Sequence, residues 1–154
     1  MRQIDAMLPA SDVKDLADDV RHLLEDLDRA RPLDQRLLPG VFSPTLDALE
    51  TDEAIEIVVD LPGVALDDIR VVLKDDVVII VGGKMPPDPG ERTDASFHLV
   101  ERDFGRFARA VRLSGALNGA QASASLAHGE LRVRIPKVQN RRGRGITVPI
   151  TRAP

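Results

Sequence analysis

Between residues 42 and 135 apolar side chains recur at every second position, and this period decides what the chain can build. Ile55, Ile57 and Val59 alternate with Glu56, Val58 and Asp60, the pattern of a half-buried strand, and Leu61-Pro62-Gly63 closes it with a turn. The run 69–73 is followed by Lys74-Asp75-Asp76 and then by 77–81, almost wholly apolar and β-branched, which predicts a hairpin closed by Gly82-Gly83. Strands are further predicted over 97–101, 107–113, 120–126 and 131–135; in the last, Leu131, Val133 and Ile135 alternate with Arg132 and Arg134. Residues 85–94 contain three prolines, which withhold ladder donors, and read as a long exposed loop. Short strands with turn signals and no helical period between them predict an all-β, immunoglobulin-like antiparallel β-sandwich.

Two appendages flank this body. Before it, Val13, Leu16, Val20, Leu23, Leu24 and Leu27 share one face at a period of 3.6, predicting an amphipathic helix over about 12–29. Ser11 or Asp12 supplies the N-cap and Asp15 suits the helix dipole, while Pro32 ends the run. That stripe has to be buried against the body, a partner chain or a client. The expected organisation is an N-terminal arm at 1–41, a sandwich at 42–138 and a flexible extension at 139–154. The extension carries Arg141, Arg142, Arg144 and Arg152 and no acid. It ends in Ile146-Thr-Val148-Pro-Ile150, whose apolar side chains point one way on an extended chain, the form of a peptide that adds to a sheet edge.

Composition removes several classes of function. The chain has no Cys, which excludes disulfides, thiolate metal sites and thiol nucleophiles. It has four Phe and neither Trp nor Tyr, so platforms for stacking bases or sugars are scarce. The net charge of −4 opposes binding to phosphate backbones, and the acids on the polar face of the 12–29 helix oppose anionic lipid. His22, His98 and His128 lack the spacing of a metal site, and the Asp and Glu clusters sit beside turns, where solvated acids are ordinary. Gly82-Gly83-Lys84 lacks the glycine and hydroxyl that a phosphate loop needs. The expectation is no enzyme, no cofactor, no metal, no nucleic acid and no membrane. With no leader and no long apolar span, the chain is expected in the cytoplasm.

Several motifs, in order, resemble the small heat-shock proteins built on the α-crystallin domain, of the bacterial type. They are Phe42-Ser-Pro-Thr-Leu-Asp47, Val59-Asp-Leu-Pro-Gly-Val64, Glu101-Arg-Asp-Phe-Gly-Arg-Phe-Ala-Arg109, Ala124 to Leu131 with Ile135-Pro-Lys137, and Ile146-Thr-Val148. The resemblance implies an ATP-independent holdase that binds unfolding proteins, suppresses their aggregation and keeps them refoldable by ATP-driven chaperones. It implies a homodimer by strand exchange through loop 84–98, with Leu46, Phe97, His98, Leu99 and Arg109 at the interface and Arg109 paired with a carboxylate. Larger oligomers follow if Ile146, Val148 and Ile150 dock in a groove lined by Val71, Leu73 and Leu126. The helix stripe Val13, Leu16, Val20, Leu23, Leu24 and Leu27 is the expected client-binding arm. The alternative is a β-sandwich adaptor that binds one defined protein partner.

Overall fold

The computed structural model describes residues 10–32, 41–86 and 96–138. A helix, α1 (Ala10–Arg29), precedes β1 (Leu46–Glu50), β2 (Ala54–Asp60), β3 (Ile69–Lys74), β4 (Val77–Lys84), β5 (Gly105–Arg112), β6 (Ser123–Ala127) and β7 (Glu130–Pro136). The strands make two antiparallel sheets, ordered β1-β2-β7-β6 and β3-β4-β5. The sheets face each other as a sandwich, and alternation along each strand fills the space between them. From β2 and β7 come Ile55, Ile57, Val59, Leu131, Val133 and Ile135; from the opposite sheet come Ile69, Val78, Ile80 and Phe107, all buried. Phe42 closes one end with its ring edge-on to Phe107, the centroids 5.3 Å apart.

Turn chemistry sets the register. The hairpin β6–β7 pairs Ala127 with Glu130 and leaves His128-Gly129 as its two-residue loop. Both residues have positive φ, 53° and 79°, which matches the right-handed twist of the strands they join. Leu61 donates its amide to the Gly129 carbonyl at 2.6 Å, tying the Leu-Pro-Gly turn to this hairpin.

Two expectations are corrected. Residues 97–101 do not form a strand, and none of the seven strands pairs with them. An alternating run becomes a strand only when a neighbour accepts its backbone groups, and here the outer edge of β5 is met instead at Val41-Phe42, where Phe42 donates its amide to the Arg106 carbonyl. The predicted strand 120–126 starts later, because residues Gly119–Gln121 form a single 3-10 turn before β6.

Gly82 illustrates how tightly the sandwich closes. A Cβ there would lie 2.4 Å from the Asp68 carbonyl oxygen and 2.5 Å from the Phe107 ring. Gly82→Ala is therefore expected to lower stability by about 1–3 kcal/mol, the usual cost of overpacking, measured by chemical unfolding followed by circular dichroism. An unchanged midpoint would show that β4 and Phe107 separate more easily than this packing implies.

Candidate docking surfaces

The first surface is a hollow between the sheets. β3 and β6 are the edge strands of their respective sheets and lie on the same side of the sandwich. Alternation turns Val71 and Leu73 of β3 inward, where they are only half-buried. Opposite them, β6 offers Ala124 in place of a large residue. A cavity of about 300 Å³ results, walled by Val71, Leu73, Ser123 and Ala124, floored by Val78, Val133 and Ile135, and closed at one end by Gly119 and Ala122. Val71 and Leu73 are thus brought together as lining. Leu126 lies on the same inner face of β6, opposite Leu131, but packs against the core outside this cavity. The small residues Gly119, Ala122 and Ala124 were not singled out from the sequence. Their run within Asn118-Gly-Ala-Gln-Ala-Ser-Ala124 was the available signal, since room in a hollow comes from missing side chains. A Cβ on Gly119 would touch Leu73 at 3.0 Å. The motif Ile146, Val148 and Ile150 lies outside the described residues.

At the second surface the expected dimer residues, Arg109 apart, fall in two places, the edge strand β1 and the segment 96–104, and no β1 residue lines the hollow at that segment. β1 is the outer strand of the larger sheet. Leu46 faces Val59 and packs against the core, so its side chain points away from the exposed edge. Leu49, on the opposite face, is 60% exposed. His98 is also exposed, and Phe97, Leu99 and Val100 present 64–71% of their surface to solvent. Phe97, Leu99 and Val100 line, with Pro86 and Phe104, an apolar hollow of about 220 Å³ that His98 does not face. Its base is held by cations over rings: the Lys84 ammonium stands 5.8 Å from the Phe42 centroid and 5.7 Å from that of Phe104, and the Arg102 guanidinium 5.1 Å from Phe104.

Among the described residues of its own chain Arg109 meets no carboxylate. Its guanidinium donates to Ser43 Oγ at 2.9 Å and to the Pro44 carbonyl at 3.1 Å, not to a carboxylate. The cause is its place on β5: it shares the inward face with Phe107 and Val111, and there it meets the uncharged segment leading into β1.

The third surface is the seat of α1. The helix lies on β4 and β3 of its own chain. Leu27 is buried at 1% exposure, Leu16, Val20, Leu23 and Leu24 are half-buried, and Val13 is 49% exposed. Opposite them, Ile79 and Val81 are fully buried although they point away from the sandwich interior. Asp28 pairs with Arg106, Arg31 with Asp68, and Lys74 Nζ lies 2.6 Å from Asp19 Oδ2. That last hydrogen bond raises the Lys74 pKa above its ordinary value; desolvation opposes it, while the charges of Asp19, Asp75 and Asp15 add to it. A raised lysine pKa means that the stabilisation Lys74 draws from ionised Asp19 is lost as pH rises through the raised value, so this contact is intact at neutral pH. The stripe expected to bind clients is thus turned onto the chain's own sheet.

Among the described residues no helix is long and apolar enough to cross a membrane, and no group of His, Asp or Glu is placed to hold a metal.

Comparison with known proteins gives one consistent result. Residues 47–151 match the model of the Hsp20/alpha crystallin family. Heat shock protein 16 of Schizosaccharomyces pombe is 28% identical over 78% of this chain and 84% of its own length. The 16.6 kDa heat shock protein of Oryza sativa subsp. japonica is 32% identical over 73% of this chain and 77% of its own. The chain spans a little under two thirds, 64% and 63%, of two class I heat shock proteins of Arabidopsis thaliana that it also matches. Among solved structures, a small heat-shock protein from Xylella fastidiosa, described as having a distinct high order structure, superposes with a TM-score of 0.58 at 28% identity. That match covers 71% of this chain and 98% of the other.

The seat of α1 makes a prediction of its own. Leu27→Ala should cost about 2–5 kcal/mol of packing, more than a single docked helix can lose. An undocked helix of this length is marginal in water, so helical ellipticity should fall while the β-signal persists. Retention of full helicity would show that α1 does not depend on this seat.

Proposed function

Because the chain belongs to the Hsp20/alpha crystallin family, we propose that it acts as an ATP-independent holdase: it binds unfolding proteins, suppresses their aggregation and leaves them refoldable by ATP-driven chaperones. Family membership supports a chaperone role of the small heat-shock type, a class that does not work by catalysis. The observation that carries the finer reading is the set of apolar surfaces left at the rims of a closed sandwich: the β3–β6 hollow and the patch at Phe97, Leu99 and Val100. A chain that captures exposed apolar segments reversibly needs such surfaces on a scaffold that does not itself unfold. Burial returns roughly 25 cal/mol per Å², enough for reversible capture without nucleotide.

The assembly follows from the same edges. Residues 96–100, with no strand neighbour among the described residues, are suited to pair with the open edge of β1 in a second copy, and exchange in both directions gives a two-fold dimer in which those edges are covered. Phe97, His98 and Leu99 supply the incoming segment; Leu46 contributes by fixing the face that β1 presents. The tail motif Ile146-Thr-Val148-Pro-Ile150 suits the β3–β6 hollow, since an added strand would satisfy an edge while alternate side chains fill the cavity. Docked in another dimer, it links dimers into larger oligomers. Residues 42–138 serve as the sandwich domain, 1–41 as the arm and 139–154 as the tether, in a protein working in the cytoplasm.

The test is light scattering of several unrelated client proteins under heat or chemical reduction, with this protein added and ATP omitted. Suppression at near-stoichiometric ratios is expected for most of them. Failure across all of them, with tight binding to one defined partner, would replace the holdase with an adaptor. The hollow is tested separately by Ala124→Leu, which fills it from an exposed position at little cost to folding. Sedimentation velocity should show assemblies shrinking to the dimer, as with combined Ile146→Gly and Val148→Gly. Unchanged sedimentation in both would remove the tail from the assembly.

A further inference from the structure

The two open sides of the sandwich are finished differently. β3 and β6 leave a hollow between them, whereas on the opposite side β5 and β1 are joined by the strap 41–45. Val41 bridges to Arg106, Phe42 donates its amide to the Arg106 carbonyl, and Pro44 is buried. At the far end Asp60 donates its amide to the Thr45 carbonyl, just before β1 begins.

Arg109 fastens the middle of this strap, and its charge is left uncompensated. It is half-buried and donates to the Ser43 hydroxyl oxygen and the Pro44 carbonyl, both neutral acceptors. A half-buried guanidinium held by neutral oxygens alone has room for a stronger, charge-assisted partner. The neighbouring cations favour an anion here as well. The Lys84 ammonium stands 5.8 Å from the Phe42 ring centre, and Arg106 lies beside Val41, although Asp28 pairs with it.

Ser43 is placed to carry that anion. Its side chain is exposed, it lies outside the strands, and its Oγ is 2.9 Å from the Arg109 guanidinium. It is the one Ser or Thr in the sequence followed directly by proline, which holds the residue before it extended. Thr45 gives the contrast within the same strap. It is also exposed, but its hydroxyl donates to the Asp60 carboxylate at 2.8 Å, so a phosphate there would meet a like charge.

We propose that Ser43 is a phosphorylation site whose phosphate is held by Arg109, and that the modification commits Arg109 to its own chain, out of reach of a carboxylate on a second copy. The phosphoryl donor is a nucleoside triphosphate bound by a separate kinase. Ser43 Oγ bonds to the terminal phosphorus as the bond from that phosphorus to the bridging oxygen breaks. The hydroxyl proton passes to the kinase's base, and the nucleoside diphosphate leaves. Withdrawal of Arg109 from an interface rests on the dimer reading above; capture of the phosphate does not.

The full-length chain is incubated with ATP and a kinase that requires proline after the acceptor, beside an unfolded peptide spanning residues 39–47. Mass spectrometry should find phosphate on Ser43 in both, and modification of the peptide alone would overturn the site. The phosphorylated protein is then titrated by phosphorus NMR, folded and in urea. An unperturbed phosphoserine takes up its second proton at about pH 6. Arg109 should hold the folded midpoint below that in urea, and Arg109→Lys, which keeps the charge without the planar fork, should recover only part of the difference. Equal midpoints in the folded and unfolded protein would overturn capture by Arg109. Sedimentation velocity should show a several-fold weaker dimer after phosphorylation, and unchanged association would overturn the withdrawal of Arg109. If the unmodified protein does not self-associate at all, the dimer reading fails, while a lowered phosphate midpoint still establishes the contact with Arg109.

Discussion

Strand β4 cannot show either face to water. Its run Val77-Val-Ile-Ile-Val81 is apolar at both parities, so a sheet with one solvated face is closed to it. One parity, Val78 and Ile80, is satisfied by the opposing sheet; the other, Ile79 and Val81, requires a cover from outside the sandwich. Most of the architecture follows from that demand. β4 is central in its sheet because it is the strand best buried on both sides, and α1 folds back because it carries the one long aliphatic stripe among the described residues able to meet the exposed parity.

The same economy leaves the rims unfinished. Closing the interior with aliphatic residues requires the four-stranded and three-stranded sheets to face each other without merging, so β1, β3, β5 and β6 remain edge strands, with β5 met only by a bridge at Val41. Small residues at Gly119, Ala122 and Ala124 keep the β3–β6 side hollow, and the exposed Phe97, Leu99 and Val100 sit beyond β4 on a segment that pairs with no strand among the described residues. In most monomeric proteins such features invite aggregation. Under the proposed holdase function they serve assembly and client capture, and the stable, helix-covered sandwich carries them without unfolding itself.

Much of this was legible in the sequence because hydropathy periods report burial. The hairpin expected from 69–73 and 77–81 is β3–β4, and the alternation of Leu131, Val133 and Ile135 is β7. The segment 97–101 has Phe97 and Leu99 on one parity, though Val100 interrupts the pattern, and it forms no strand, since a period reports two-sidedness but not the presence of a ladder partner. The family resemblance implies a groove beside 69–73, and alternation puts Val71 and Leu73 on one face of it; Gly119, Ala122 and Ala124 escape notice because an absent side chain leaves no hydropathy signal. The helix stripe was readable, but its seat was not. The ion pairs that fix it join residues 55 and 78 positions apart, and nothing local in the sequence relates Asp19 to Lys74 or Asp28 to Arg106. The contacts of Arg109 to Ser43 and Pro44 were unreadable for a related reason: its face on β5 follows from the register with Ile80, and its partners lie 65 and 66 positions away.

The claim on which the account turns is that α1 covers the outer face of β4 within one chain. Nuclear Overhauser contacts between methyl groups measure it directly, in uniformly labelled protein and in a mixture of labelled and unlabelled chains filtered for contacts between them. The account predicts contacts from the leucines of α1 to Ile79 and Val81 in the uniform sample and none in the filtered mixture. Strong filtered contacts would place the helix on a neighbouring subunit, and absence of contacts in both samples would mean that the β4 face is covered by something else.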